Sequence, residues 1–197
     1  MKQFLRNVYR MWQYAKWDKA GKPLPPNSYV KQYIVRQHFE KSGHSTFIET
    51  GTLHGRMTLA LSDVAKKIYS IELNKDYVAA AKKLFAKKKH ITILEGDSGT
   101  ELSNLLNDLK EPAFFWLDAH YSGGTTAQGD KLTPILEELK ALLRHPIKKH
   151  TIWIDDMRCF DGTNDYPTLQ KIANLVGKQY AVAKTDFDTI VLQPKRK

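Results

Sequence analysis

Phe47-Ile48-Glu49-Thr50-Gly51-Thr52-Leu53-His54-Gly55-Arg56-Met57-Thr58 is the stretch from which the fold follows. Apolar residues run into an acid, two glycines stand four apart, and the pattern turns helical through Leu59-Ala60-Leu61. A buried strand, a tight turn and a helix N-terminus have this signature. Glycine permits positive φ or a close backbone approach to a ligand, and the free N–H groups of a helix start offer hydrogen bonds. The loop departs from G-x-G-x-x-G, because Leu53 holds the middle glycine position. Glu49 matters as much. A pyrophosphate cradle gains nothing from a carboxylate at the strand tip, whereas a cationic ligand does. Alone, the stretch also fits a turn that needs glycine only for geometry.

Outward from this stretch, strands and helices alternate. Strands are predicted at Thr46–Glu49, Lys67–Glu72, Ile91–Glu95, Ala113–Asp118 and Thr151–Asp155, and a hairpin at Tyr180–Lys184 and Thr189–Leu192. Helices are predicted at Lys2–Trp17, Tyr29–Lys41 (capped by Ser28 and ended by Gly43), Met57–Ala65, Asp76–Lys88, Thr100–Leu109, Thr133–Leu143 and Pro167–Val176. The Asp76–Lys88 helix is expected to bury Tyr77, Ala80, Ala81, Leu84 and Phe85. Ala113–Leu117 is apolar throughout, as in a central strand covered on both faces. The alternation means an α/β fold with a mainly parallel sheet and helices on both faces.

The N-terminal helix carries Leu5, Val8, Trp12 and Ala15 on one face, broadened by Phe4, Tyr9, Met11 and Trp17 and flanked by Arg6, Arg10 and Lys16. Such a face packs on its own domain, on a second subunit as a homodimer, or on a membrane surface. Gly21–Ser28 is rich in breakers and reads as a hinge. Residues 1–28 are therefore expected to form a helical extension or lid, and residues 29–197 one catalytic domain.

The chain has 197 residues and a formal net charge of +10. That charge suits nucleic acid, an anionic membrane or an acidic or phosphorylated small substrate, against the plainer alternative of a solvated lysine surface. The single cysteine, Cys159, rules out an internal disulfide and a cysteine-based zinc site. No apolar run is long enough to span a bilayer, and Arg6 and Arg10 interrupt any signal-peptide core. The expected location is the cytoplasm.

Acids recur where strands finish: Glu49, Glu72, Asp97, Asp118 and Asp155. In open parallel sheets ligands bind outside the carboxyl ends of the strands, so these side chains are expected to line one crevice. Glu72 follows Gly51 at about the 20-residue spacing of an acid that holds ribose hydroxyls; its alternative is a helix cap. Asp97, in Gly96-Asp97-Ser98, suits an exocyclic amine or an N-cap.

With its order and spacing, Glu49-Thr50-Gly51-Thr52-x-x-Gly55, Glu72, Gly96-Asp97-Ser98, Asp118 and Asp155-Asp156 resembles class I S-adenosylmethionine-dependent methyltransferases over about Lys31 to Gln193. The resemblance implies a Rossmann-like seven-stranded sheet of order 3-2-1-4-5-7-6 with an antiparallel seventh strand. It implies that Glu49, Thr50, Gly51, Thr52 and Gly55 surround the methionine half of the cofactor, that Glu72 holds the ribose, that Asp97 and Ser98 lie near adenine, and that Asp118 borders the cofactor. Leu53 departs from a frequent glycine of the family.

S-adenosylmethionine carries a sulfonium and an ammonium, so an acid-lined crevice favours it independently. Asp118, Asp155 and Asp156 form an oxygen-rich set suited to Mg²⁺, and the chain is similar here to metal-dependent catechol and macrolide-sugar O-methyltransferases. His120 is a candidate general base, since its ordinary pKa is near neutrality, with Asp118 beside it in the catalytic set. Tyr121, Ser122 and Arg158 are candidate substrate contacts, Arg158 for an anionic group, with surface ion pairing as its favoured alternative. His54 is expected to be exposed. The expected activity is O-methylation of a small molecule or sugar, assisted by Mg²⁺. An RNA methyltransferase is less favoured, because Asp118-Ala119-His120-Tyr121 replaces the N-P-P-[YF]-like motif of base amino-methylation. A non-catalytic docking domain is the third alternative.

Overall fold

The computed structural model describes residues 2–119 and 133–195. The helices are α1 (Lys2–Lys19), α2 (Ser28–Ser42), α3 (Arg56–Leu61), α4 (Lys75–Phe85), α5 (Ser98–Asp108), α6 (Ile135–Arg144) and α7 (Leu169–Val176). The strands are β1 (Thr46–Thr50), β2 (Lys67–Glu72), β3 (Ile91–Glu95), β4 (Ala113–Leu117), β5 (Thr151–Ile154), β6 (Tyr180–Lys184) and β7 (Ile190–Pro194). They form one seven-stranded sheet of order β3-β2-β1-β4-β5-β7-β6. The first five strands run parallel, and β7 is antiparallel to both β5 and β6. This is the order the family resemblance implies.

Alternation along the central strands sends side chains to opposite faces. Phe47, Phe114, Trp116 and Trp153 pack with α2 and α3. Ile48, Phe115, Leu117, Ile152 and Ile154 pack with α5, α6 and α7. All five residues of β1 and of β4 are buried, as expected of strands covered on both sides. The register then positions the site. Thr50 stands opposite both Ile71 and Leu117, Ile71 opposite Leu94, and Leu117 opposite Ile154. The next residues, Gly51, Glu72, Glu95, Asp118 and Asp155, therefore emerge along one edge of the sheet.

Three local expectations change. Asn27, not Ser28, caps α2: its side chain accepts from the Tyr29 and Val30 backbone N–H groups, and Ser28 is the first helical residue. α3 stops at Leu61, and Val64 and Ala65 close on the Leu61 carbonyl in turns. α4 buries Val78, Ala81 and Phe85, leaving Leu84 53% exposed. It packs mainly on the edge strand β3, so a narrower arc than the apolar stripe finds a partner.

The largest departure is α1. Its contact face is Gln3, Asn7, Arg10, Tyr14 and Trp17, spaced as one side of a helix. Arg10 Nε donates to Gln32 Oε1 at 2.8 Å, Gln3 Nε2 to the Leu59 carbonyl at 3.1 Å, and Trp17 Nε1 to the Pro23 carbonyl at 2.8 Å. Tyr14 packs on Tyr33. The apolar stripe points away from the domain: Phe4 is 69% exposed, Leu5 60% and Trp12 54%. Trp17, grouped with that stripe from sequence, is buried.

Candidate active site

Glu49 is the penultimate residue of β1 and is itself 2% exposed. Thr58 Oγ1 and Ser70 Oγ both donate to its Oε2. Burial pushes its pKa up to about 8; the two hydroxyl donors oppose this, and Asp118 and Glu72 add to it. Its hydrogen bonds thus come from neutral hydroxyls, and its charged neighbours are other acids.

The glycine loop follows. Gly51 has φ of 85°, and a Cβ there would lie 2.5 Å from the Asp118 carbonyl oxygen. Glycine is required by both conformation and space. The Asp118 N–H donates to the Thr50 carbonyl at 3.1 Å, locking the ends of β1 and β4 together. Leu53 takes φ of 47°, so the loop makes a left-handed step there, as a glycine would do freely, despite the side chain. Glu72 stabilises that step. Its Oε2 accepts from Leu53 N–H at 2.7 Å and its Oε1 from Asn74 N–H at 2.9 Å. His54 is exposed and stands edge-on to Tyr77.

Across the sheet, Asp97 caps α5 by accepting from Thr100 N–H at 3.2 Å and is exposed. Ser98 is buried and donates to Glu138 Oε1 at 2.6 Å. Glu138, on α6, was not singled out from sequence, and burial pushes its pKa up to about 7. Its trace there is an acid inside the apolar stripe Ile135, Leu139, Leu142.

At the end of β5, Asp155 and Asp156 are 4% and 6% exposed. Lys31, from the first turn of α2, places Nζ 2.6 Å from Asp155 Oδ2 and 2.9 Å from Asp156 Oδ1. Sequence reasoning missed this lysine. Burial works against its charge, but Asp155, Asp156 and Asp118 outweigh burial and hold its pKa above the ordinary lysine value. Burial and then Asp118 push Asp155 above the usual carboxylate range, opposed by Lys31. Asp155 Oδ1 is buried and has no hydrogen-bond partner among the described residues. Arg158 pairs with Asp156 Oδ1 at 2.8 Å and with Asp188, so its guanidinium is engaged within the protein. His120, Tyr121 and Ser122 lie outside the described residues.

The expected Mg²⁺ site of Asp118, Asp155 and Asp156 does not match this geometry. The ammonium of Lys31 already bridges the paired acids. Among the described residues no three of His, Cys, Asp and Glu are grouped to hold a metal. The glycine loop nevertheless shares one space with Lys31 and Asp118. A cavity of about 130 Å³ is lined by Lys31, Glu49, Gly51, Leu53, Arg56, Trp116 and Asp118, among others.

No protein-family model matches the sequence, and no curated protein matches it. Solved structures do. A methyltransferase of Podospora anserina bound to SAH superposes with TM-score 0.63 at 15% identity, covering 97% of this chain and 88% of its own. An O-methyltransferase from Bacillus cereus in complex with SAH gives TM-score 0.63 at 15% identity, covering 96% and 90%. The fold is the class I methyltransferase fold. The 23S rRNA methyltransferase ErmE shares it at TM-score 0.59 and 14% identity, covering 87% of this chain and 70% of that one. At these identities the class I methyltransferase fold is common to enzymes with different acceptors, so the acceptor is argued from the site.

Proposed function

We propose that the chain is an S-adenosylmethionine-dependent methyltransferase acting on a hydroxyl of a small molecule or sugar. One observation carries the cofactor. Glu49 is buried at the glycine loop beside Asp118 and Glu72, and among the described residues its side-chain hydrogen bonds come from the Thr58 and Ser70 hydroxyls. A ligand bringing an ammonium and a sulfonium supplies a cation to a carboxylate whose hydrogen-bond donors are neutral hydroxyls. Thr50, Gly51, Thr52 and Gly55 would carry the methionine half past Glu49. Glu72 has lone pairs left for ribose hydroxyls beyond its two backbone donors. Asp97 would take the adenine amine, with Ser98 fixed behind it by Glu138.

Transfer is a direct displacement in which the protein mainly orients the partners. When bound, the donor would supply a methyl group, the acceptor oxygen taking the carbon while the electron pair of the broken carbon–sulfur bond stays with sulfur. The hydroxyl proton passes to a base, the role proposed for His120 beside Asp118. Tyr121 and Ser122 remain the proposed acceptor contacts, while Arg158, paired with Asp156 and Asp188, would act through those acids. Because the paired acids do not fit Mg²⁺, no step is routed through a metal. The test is thermal unfolding with S-adenosylhomocysteine at about 100 times its Kd, where stabilisation near 2.7 kcal/mol is expected. That corresponds to a Tm rise of roughly 5–10 °C for a chain of this size, with no rise from NAD. No shift with either ligand would remove the cofactor.

For α1 we propose an anionic membrane surface as partner. Phe4, Leu5, Val8, Met11 and Trp12 face outward, with exposed Arg6 and Lys16 beside them. The net charge of +10 repels a second copy and attracts anionic lipid. No helix among the described residues is long and apolar enough to cross a membrane, so the contact is peripheral. Co-sedimentation with phosphatidylserine vesicles should exceed that with phosphatidylcholine vesicles. Phe4→Glu with Trp12→Glu should weaken it about tenfold or more. Dimerisation through this face without vesicle binding would overturn the assignment.

A further inference from the structure

Lys31 is the observation that the methyltransferase resemblance does not account for. It comes from α2, 124 residues before Asp155, and its side chain is only 16% exposed. The ammonium sits 2.6 Å from one carboxylate and 2.9 Å from the next. These acids follow β5, at the end of the sheet where the β1 and β4 loops also converge. The same lysine lines the cavity that holds Glu49, Gly51 and Asp118. It is therefore a neighbour of the proposed cofactor wall and not a surface ion pair.

Mg²⁺ needs oxygen ligands at about 2.0–2.1 Å in a near-octahedral shell. Two carboxylates closed on an ammonium cannot also close on that ion. A compact monocation with three donors is the alternative way to balance buried acids. Two of the donors go to Asp155 and Asp156, which leaves one for an oxygen outside the protein.

We propose that Lys31 is the resident cation of this site in place of a divalent metal, and that it holds the acceptor oxygen by hydrogen bond and charge. This rests on the methyltransferase reading above. As the hydroxyl proton leaves, negative charge grows on the acceptor oxygen, and a fixed ammonium stabilises it without any proton of its own being transferred. Asp155 and Asp156 keep the ammonium in place, and Arg158, itself paired with Asp188, donates to the same Asp156 oxygen. Lys31 is thus a catalytic candidate, and the two acids are positioning residues.

Mn²⁺ binding to the full chain, followed by its electron paramagnetic resonance signal, tests this without knowledge of the acceptor. The wild-type protein is expected to bind no Mn²⁺ at this site. Lys31→Met leaves Asp155 and Asp156 without their cation, and should bind Mn²⁺ at least about tenfold more tightly than wild type. Lys31→Arg keeps a cation there and should stay metal-free. Stoichiometric Mn²⁺ binding by wild type that Asp155→Asn removes would overturn the proposal. So would a folded Lys31→Met protein that gains no affinity. If Lys31→Met does not fold, the wild-type titration with Asp155→Asn decides alone. S-adenosylhomocysteine titration of the same samples keeps the two ideas apart: absent binding to wild type sinks the methyltransferase reading and leaves the metal result interpretable.

Discussion

Gly51→Val is expected to destabilise the protein by about 2–4 kcal/mol, from left-handed strain together with overpacking. It should also weaken S-adenosylhomocysteine binding about 10- to 100-fold, the equivalent of one or two charge-assisted hydrogen bonds. At φ of 85° any side chain is strained, and the added Cβ meets the Asp118 carbonyl oxygen at 2.5 Å. That oxygen belongs to backbone tied to Thr50, so it cannot swing aside like a flexible side chain. Either β1 and β4 separate or the loop moves off Glu72, and both change the cofactor wall. Gly21→Ala is the control. Its φ is 82°, with nothing within 4 Å of the new Cβ, so it should show strain of about 1–2 kcal/mol and unchanged binding. Urea unfolding and calorimetric titration report the two quantities. A Gly51→Val protein that is destabilised yet binds normally would move the cofactor away from this loop.

The second large effect is on pH dependence. Glu49 titrates at about 8 and Glu138 at about 7 in the folded chain, against an ordinary glutamate value of 4.5. Burial is the main cause for both. Between those limits the folded state holds more protons than the unfolded one, so stability falls as pH rises, by at most about 1.4 kcal/mol per pH unit for each group. His150 acts in the opposite sense. Burial, aided by His145, lowers its pKa from 6.5 to about 3, so its contribution is lost as pH falls below 6.5. From pH 6.5 to 8 the buried acids dominate, and the apo protein should lose stability across that window. Glu49→Gln should flatten the slope.

Cofactor binding should run the other way. A cationic ligand selects the ionised Glu49, so affinity rises with pH up to about 8, by at most tenfold per unit, and binding releases a proton. Titrations in two buffers of different ionisation heat count that proton. Pronounced pH dependence that survives unchanged in Glu49→Gln would show that this carboxylate is not the group the ligand meets.

These effects rest on features of unequal visibility in the sequence. Glu49, Gly51, Gly55 and Glu72 lie within 24 residues, and strand-to-helix patterning plus two glycines exposes them. The sheet order followed from the motif resemblance, and the register then aligned the strand-end acids. Asp97 shows a limit: its cap and ligand readings use the same residue in the same place, and the structure displays the cap.

What the sequence determined by itself is the alternation of elements, the buried central strands and the acids at their carboxyl ends. All of these are periodic or local properties of one stretch of chain. What only the tertiary structure decided is which partner each surface and charge finds. Lys31 reaches acids 124 and 125 residues away, Glu138 meets Ser98 across 40, and α1 turns its polar side inward. Amphipathicity reveals which face of a helix is apolar, but not whether anything covers it. An acid pair reveals a demand for positive charge, but whether a metal or a lysine meets it depends on how α2 packs over β5.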